Sequence, residues 1–131
     1  MKILALDYGA ARTGVAVSDP TGTIARPLCV VERAGTADGL LRLAALIGEQ
    51  APERVVVGMP LTLRGDSGQQ ARETEQFVEA LAEVTTVPLV TFDERFTTDL
   101  AEQASADAPE DARAAAHLLS GYLTWASGAR A

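Results

Sequence analysis

The stretch Lys2-Ile3-Leu4-Ala5-Leu6-Asp7-Tyr8-Gly9-Ala10-Ala11-Arg12-Thr13-Gly14-Val15-Ala16-Val17-Ser18-Asp19-Pro20 decides the fold. Lys2 to Leu6 is an apolar run closed by an acid, an aromatic and a glycine, the pattern of a buried strand. A turn over Gly9 to Arg12 leads into Thr13 to Ser18, which reads as its hairpin partner, and Asp19-Pro20-Thr21-Gly22 is the next turn. Ile24 to Val31 supplies a third strand. Pro27 within it lacks an N–H and therefore asks for a sheet edge or a bulge. Three consecutive strands predict an antiparallel meander.

Beyond Val31 the period changes. Leu40, Leu41, Ala44, Ala45 and Ile47 recur at helical spacing, with Thr36 or Asp38 available as the cap and Glu49-Gln50-Ala51-Pro52 as the stop. Arg54 to Met59 is a short apolar strand, followed by a turn-rich loop over Pro60 to Gly68. Ser67 is positioned to cap a helix from Gln69 to Val84 whose inner face carries Phe77, Val78, Leu81 and Val84. Pro88 to Phe92 is the next strand, Thr97-Thr98 cap a short helix, Ala104 to Glu110 is an acidic linker, and the last helix runs from Glu110 to Ser127. Alternating strands and helices imply parallel strands joined by helical crossovers. The expected class is therefore α/β: a mixed sheet of three antiparallel strands followed by βαβα units, flanked by helices.

Composition narrows the chemistry. At 131 residues, a single domain over residues 1–131 is the expectation, with 47% hydrophobic and 22% charged residues, an ordinary globular balance. One cysteine, Cys29, excludes an internal disulfide framework and a cysteine zinc cluster, and one histidine, His117, excludes His-rich metal sites. The segment Met1 to Asp7 reaches an acid too early for a signal peptide, and no apolar run is long enough for a membrane span, so a cytoplasmic protein with no membrane partner is expected. The net charge of −7 argues against a general nucleic-acid coat, although it leaves room for a local basic patch. Ten arginines against one lysine, with no GxxxxGK[ST], make a P-loop or a lysine nucleophile a poor reading.

The carboxylates carry the functional signal. In sheets of this kind, ligands gather at the carboxyl ends of strands, where Asp7 and Asp93-Glu94 stand. Asp7 shares a face with Ile3 and Ala5, and a carboxylate there needs a partner or a metal. The blander reading is a turn aspartate. Asp93 and Glu94 point to opposite faces, so at most one joins Asp7, and periodicity does not choose between them. In the last helix Ala115, Leu118, Leu119, Tyr122, Leu123 and Ala126 form a stripe that extends back to Asp111. A helix dipole explains an acid in the first turn but not one that faces inward. Three convergent carboxylates, with no His or Cys, suit two Mg²⁺ or Mn²⁺ ions and phosphodiester hydrolysis.

These residues resemble the YqgF/RuvX-like family, known for Holliday-junction-resolvase-like and pre-16S rRNA nuclease proteins of the RNase H-like fold. The resemblance is carried by Leu6-Asp7-Tyr8-Gly9, Arg12-Thr13-Gly14-Val15-Ala16-Val17-Ser18-Asp19-Pro20, Val55-Val56-Val57-Gly58-Met59-Pro60-Leu61, Phe92-Asp93-Glu94-Arg95-Phe96-Thr97-Thr98, and the Asp111 to Leu123 helix. It spans nearly the whole chain. It implies Asp7, Glu94 and Asp111 as catalytic and metal-holding acids, choosing Glu94 over Asp93, and Arg12 and Arg95 as phosphate contacts. For each arginine the plain alternative is a surface ion pair. Relatives often carry a longer, basic loop before the last helix, where this chain has the short acidic Ala104 to Glu110.

The expected partner is nucleic acid, RNA ahead of structured DNA, with pre-ribosomal particles as the setting and a monomer or homodimer as the assembly. The expected activity is a metal-dependent nuclease in pre-16S rRNA maturation, with Holliday junction resolution as the alternative. Two other classes compete. A noncatalytic ribosome-assembly module gains nothing from clustered acids, and an actin or sugar-kinase fold, suggested by Asp7-x-Gly9 and Thr13-Gly14, needs a second lobe. His117 falls on a different face of the helix from Asp111 and reads as non-catalytic. Cys29 reads as a buried strand residue, and Trp125 as packing ahead of a base-stacking platform. Gly65-Asp66-Ser67-Gly68 reads as a plain loop before a capped helix, ahead of a phosphate cradle.

Overall fold

The computed structural model describes residues 1–60, 68–93 and 109–129. Strands β1 (Ile3–Asp7), β2 (Arg12–Ser18) and β3 (Ala25–Glu32) form the meander, followed by α1 (Ala37–Gln50), β4 (Arg54–Met59), α2 (Gln69–Ala82), β5 (Leu89–Asp93) and α3 (Glu110–Ala129). The sheet order is β3-β2-β1-β4-β5. β1 pairs antiparallel with β2 and parallel with β4, and β4 pairs parallel with β5. The carboxyl ends of β1, β4 and β5 therefore share one edge of the fold. The expected mixed sheet stands. The short helix expected at Thr97-Thr98 lies outside the described residues.

Local chemistry explains the boundaries. Thr36 caps α1, its hydroxyl accepting from the Gly39 N–H at 3.1 Å. The helix ends at Ala51 in the left-handed conformation (φ 49°), just before Pro52. Asp19 holds the β2–β3 turn, its carboxylate accepting from the Thr23 and Ile24 N–H groups at 2.8 Å each. Those bonds and the Thr21 hydroxyl push its pKa well below the ordinary carboxylate range. Pro27 satisfies both expectations at once: β3 is an edge strand, and the β2–β3 register shifts between Val15 and Ala16, opposite Cys29 and Pro27. At the start of α2 the expectation needs correction. Gly68 occupies the N-cap with no side-chain bond, and Ser67 lies outside the described residues. Cys29 is half-buried where full burial is expected, because the edge position leaves it a single covering neighbour strand; burial still raises its thiol pKa.

The sheet has two differently built faces. Under α1 and α2 lie Leu4, Leu6, Val15, Val55 and Val57, packed against Leu43, Ile47, Phe77 and Leu81. Under α3 lie Ile3, Ala5, Ala16, Val56 and Phe92, packed against Ala115, Ala116, Leu118, Leu119, Tyr122 and Leu123. The alternation along β1 thus sends odd residues towards α3, and Asp7 follows Ile3 and Ala5 onto that face.

Candidate active site

Gly14 brings two of the three expected acids together. In the β1–β2 ladder Asp7 stands directly opposite Gly14. From the other side, the first turn of α3 rests on the same residue. A methyl group built on Gly14 would collide with the Asp111 carbonyl and crowd the Ala112 nitrogen. Only a residue without Cβ lets the helix backbone come this close. Asp7, at the end of its strand, and Asp111, in the first turn of α3, therefore flank one glycine.

The helix is rotated slightly from the expected stripe. Ala112 is fully buried, whereas the Asp111 side chain is 39% exposed, so Asp111 sits at the rim of the core-facing side. The backbone approach at Gly14 causes this: it turns Ala112 into the sheet and leaves Asp111 on the flank. There its Oδ2 lies 3.1 Å from Nε of Arg12, itself 65% exposed. Arg12, expected to contact phosphate, stands at the mouth of the site but on Asp111.

Asp93 can be placed as well. Val90 and Phe92 of β5 pack with the α3 cluster, while Leu89 packs with the opposite one. Asp93 therefore belongs to the α1/α2 side and Asp7 to the α3 side. Glu94 and Arg95 lie outside the described residues. Among the described residues no three acids, histidines or cysteines gather into a metal-holding group. Asp7 and Asp111 supply two hard oxygen donors, a set compatible with Mg²⁺ or Mn²⁺.

The hairpin below the site is braced from within. Fully buried Thr13 places its hydroxyl 3.4 Å from both the N–H and the carbonyl of Gly9, tying down the turn that carries Arg12. Tyr8 turns to the other face and stacks on Phe77, ring centroids 4.3 Å apart. Sequence reasoning missed one cluster beside the site. Phe92, Tyr122 and Trp125 form an aromatic group in which Trp125 is 53% exposed, and Nη1 of Arg54 donates to the Tyr122 hydroxyl at 2.7 Å. The Trp125 position on a helix flank was the available signal, but which strand lies beside that flank is set only by the tertiary fold.

A family model described as "RuvX: Holliday junction resolvase" matches residues 1–124. A Chloroflexus aggregans protein, named as a candidate pre-16S rRNA nuclease, is 46% identical over 77% of this chain and 71% of its own length. A Desulforamulus reducens protein with the same name is 39% identical over 99% of this chain and 100% of its own. Among solved structures, Thermus thermophilus RuvC, in complex with a Holliday junction substrate, superposes with a TM-score of 0.72 at 17% identity, covering 98% of this chain and 96% of that one. That likeness establishes the RuvC-like, RNase H-like fold.

Proposed function

Since the chain belongs to the RuvX family, we propose that it is a metal-dependent nuclease that hydrolyses phosphodiester bonds of nucleic acid in the maturation of pre-16S rRNA. The observation that carries this reading is the meeting of Asp7 and Asp111 across Gly14. Two carboxylates carried to either side of one glycine are placed to share a divalent cation. Asp7, Asp111 and Glu94 are the residues proposed to hold them. The placement of Asp93 on the far face argues against it as the third acid, and the family resemblance points to Glu94. Divalent ions so held supply activation of a water and neutralisation of the leaving oxygen.

The rest of the chemistry belongs to the protein's own side chains. Asp7, at the end of a strand buried on both sides, gives a fixed donor. Asp111, at the rim, gives an adjustable one. Arg12 is proposed to exchange Asp111 for a phosphate oxygen when substrate arrives, and Arg95 to make a second phosphate contact. The relatives named for pre-16S rRNA favour RNA. The family description and the RuvC-like fold favour four-way junctions. The net charge of −7 argues for the RNA, since a junction needs basic surface for four charged arms.

The test is cleavage of single-stranded RNA and of an intact four-way DNA junction, at matched salt, with Mg²⁺ or Mn²⁺. RNA cleavage abolished by chelation is expected, with Glu94→Gln inactive and Asp93→Asn active. Paired symmetric nicks in the junction, made more efficiently than RNA cuts, would transfer the proposal to resolution. Absence of any chelator-sensitive cleavage would overturn it.

A further inference from the structure

One lone exposed aromatic is ordinary on a protein surface, but Trp125 is held and placed in a way that ordinary exposure does not explain. Its ring centroid lies 5.7 Å from Phe92 and 6.0 Å from Tyr122, and those two rings meet edge-on at 5.4 Å. Both supporting rings are buried. The indole therefore has a fixed inner edge and an open outer face. The guanidinium of Arg54, bound to the Tyr122 hydroxyl, stands at the foot of the cluster.

Two alignments relate the cluster to the acids. Across the sheet, Leu6 is level with Val57 and Val57 with Thr91. Asp7 and Phe92 are each the next residue along their strands. They lie on the same face, two strands or about 10 Å apart, with buried Gly58 between them. Along α3, Asp111, Leu118 and Trp125 recur every seven residues and share one flank, about 21 Å from first to last.

We propose that Trp125 is a stacking platform for an unpaired base of a single strand that also reaches the Asp7–Asp111 acids. The proposal rests on the nuclease reading and deepens it towards single-stranded substrates. A flat π-face accepts any base, so the platform grips without selecting sequence, and the Arg54 charge beside it favours a polyanion over an apolar partner. Paired bases present no free face to it. The strand is thereby fixed on one side of the acids, which gives the site a direction.

Trp125 is the sole tryptophan, so its fluorescence reports this ring alone. The protein is titrated in chelator with a short single-stranded RNA, then with a duplex of the same sequence. Saturable quenching by the single strand and little by the duplex is expected. Trp125→Ala is expected to weaken binding of a labelled strand roughly five- to hundredfold, the range found when a stacked base loses its ring. Trp125→Phe should retain most of the affinity. Circular dichroism checks that both variants fold. Strand binding that leaves the fluorescence unchanged, or equal affinity in Trp125→Ala and the parent, overturns the platform while leaving the nuclease reading intact. No binding of any strand, with no chelator-sensitive cleavage, overturns both.

Discussion

The two faces of the sheet are packed from different materials. Under α1 and α2 the contacts are leucine, valine, isoleucine and phenylalanine, with helix and strand backbones held apart by large side chains. Under α3 four alanines, Ala5, Ala16, Ala115 and Ala116, are mixed with large residues such as Phe92, Leu118, Leu119 and Tyr122, and Gly14 touches the helix backbone itself. Bulky packing on the first face supplies burial and therefore stability. Small residues on the second supply proximity, at some loss of buried area, and proximity is what brings Asp111 to Asp7. Both faces bury a core, and the second also brings the first turn of α3 up to the strand that pairs with Asp7.

That division is open to direct attack. The largest effects are expected from a crossed pair of changes. Asp7→Asn or Asp111→Asn should lower cleavage roughly a hundredfold or more, since several kcal/mol of charge stabilisation is lost at tenfold per 1.36 kcal/mol, with stability unchanged or raised. Leu43→Ala, on the other face, should cost about 2–5 kcal/mol in denaturant unfolding while activity per folded molecule is kept. If Leu43→Ala lost activity and not stability, the assignment of roles to faces would be wrong.

Next in size is Gly14→Ala, which should affect both quantities. The added methyl must push α3 away from the sheet, costing about 1–3 kcal/mol as overpacking does. It should also part the acids, so that cleavage falls even in the folded fraction. Stability loss without a fall in cleavage per folded molecule would show that the close approach has no functional role.

Arg12→Ala should have a smaller effect. Its bond to Asp111 is exposed on both sides, so the stability change should stay within about 1 kcal/mol. The readout that matters is the salt dependence of RNA binding, which should flatten if Arg12 makes a phosphate contact. An unchanged salt slope would leave Arg12 as a surface ion pair.

The smallest effect is expected at a residue belonging to neither face. The backbone N–H groups of the β2–β3 turn favour the ionised form of Asp19 and lower its pKa. Its contribution to stability is therefore present above the unfolded aspartate pKa, near about 4, and is lost as pH falls from there through the lower folded value. Denaturant midpoints of the parent should drop across that acidic window, and those of Asp19→Asn should drop less.

Much of the fold was legible because its signals are local. Strand runs, turn residues, the Thr36 cap and the Pro27 edge each depend on a few neighbouring residues. The Asp111 placement came from helical periodicity and was right to within the rotation that Gly14 imposes. That rotation could not be read, since it depends on the contact of two backbones far apart in sequence. Nor could the side chosen by Asp93. Strand alternation separates adjacent residues, but only the burial of Phe92 under α3 says which face is which. The exposure of Trp125 is equally illegible, because it depends on how far α3 covers the sheet. Family resemblance supplied Glu94, and no residue-level argument had chosen it.

The Asp7–Asp111 meeting also bears on when the activity appears. Asp7 lies on β1, which leaves the ribosome before α3, the helix that carries Asp111. Chains fold from the N-terminal side as they are made, at about 5–20 residues per second. The meander and its neighbours can settle while α3 is still inside the exit tunnel, and at that stage the acid pair does not exist. The site proposed above is thereby completed only when α3 docks on the sheet.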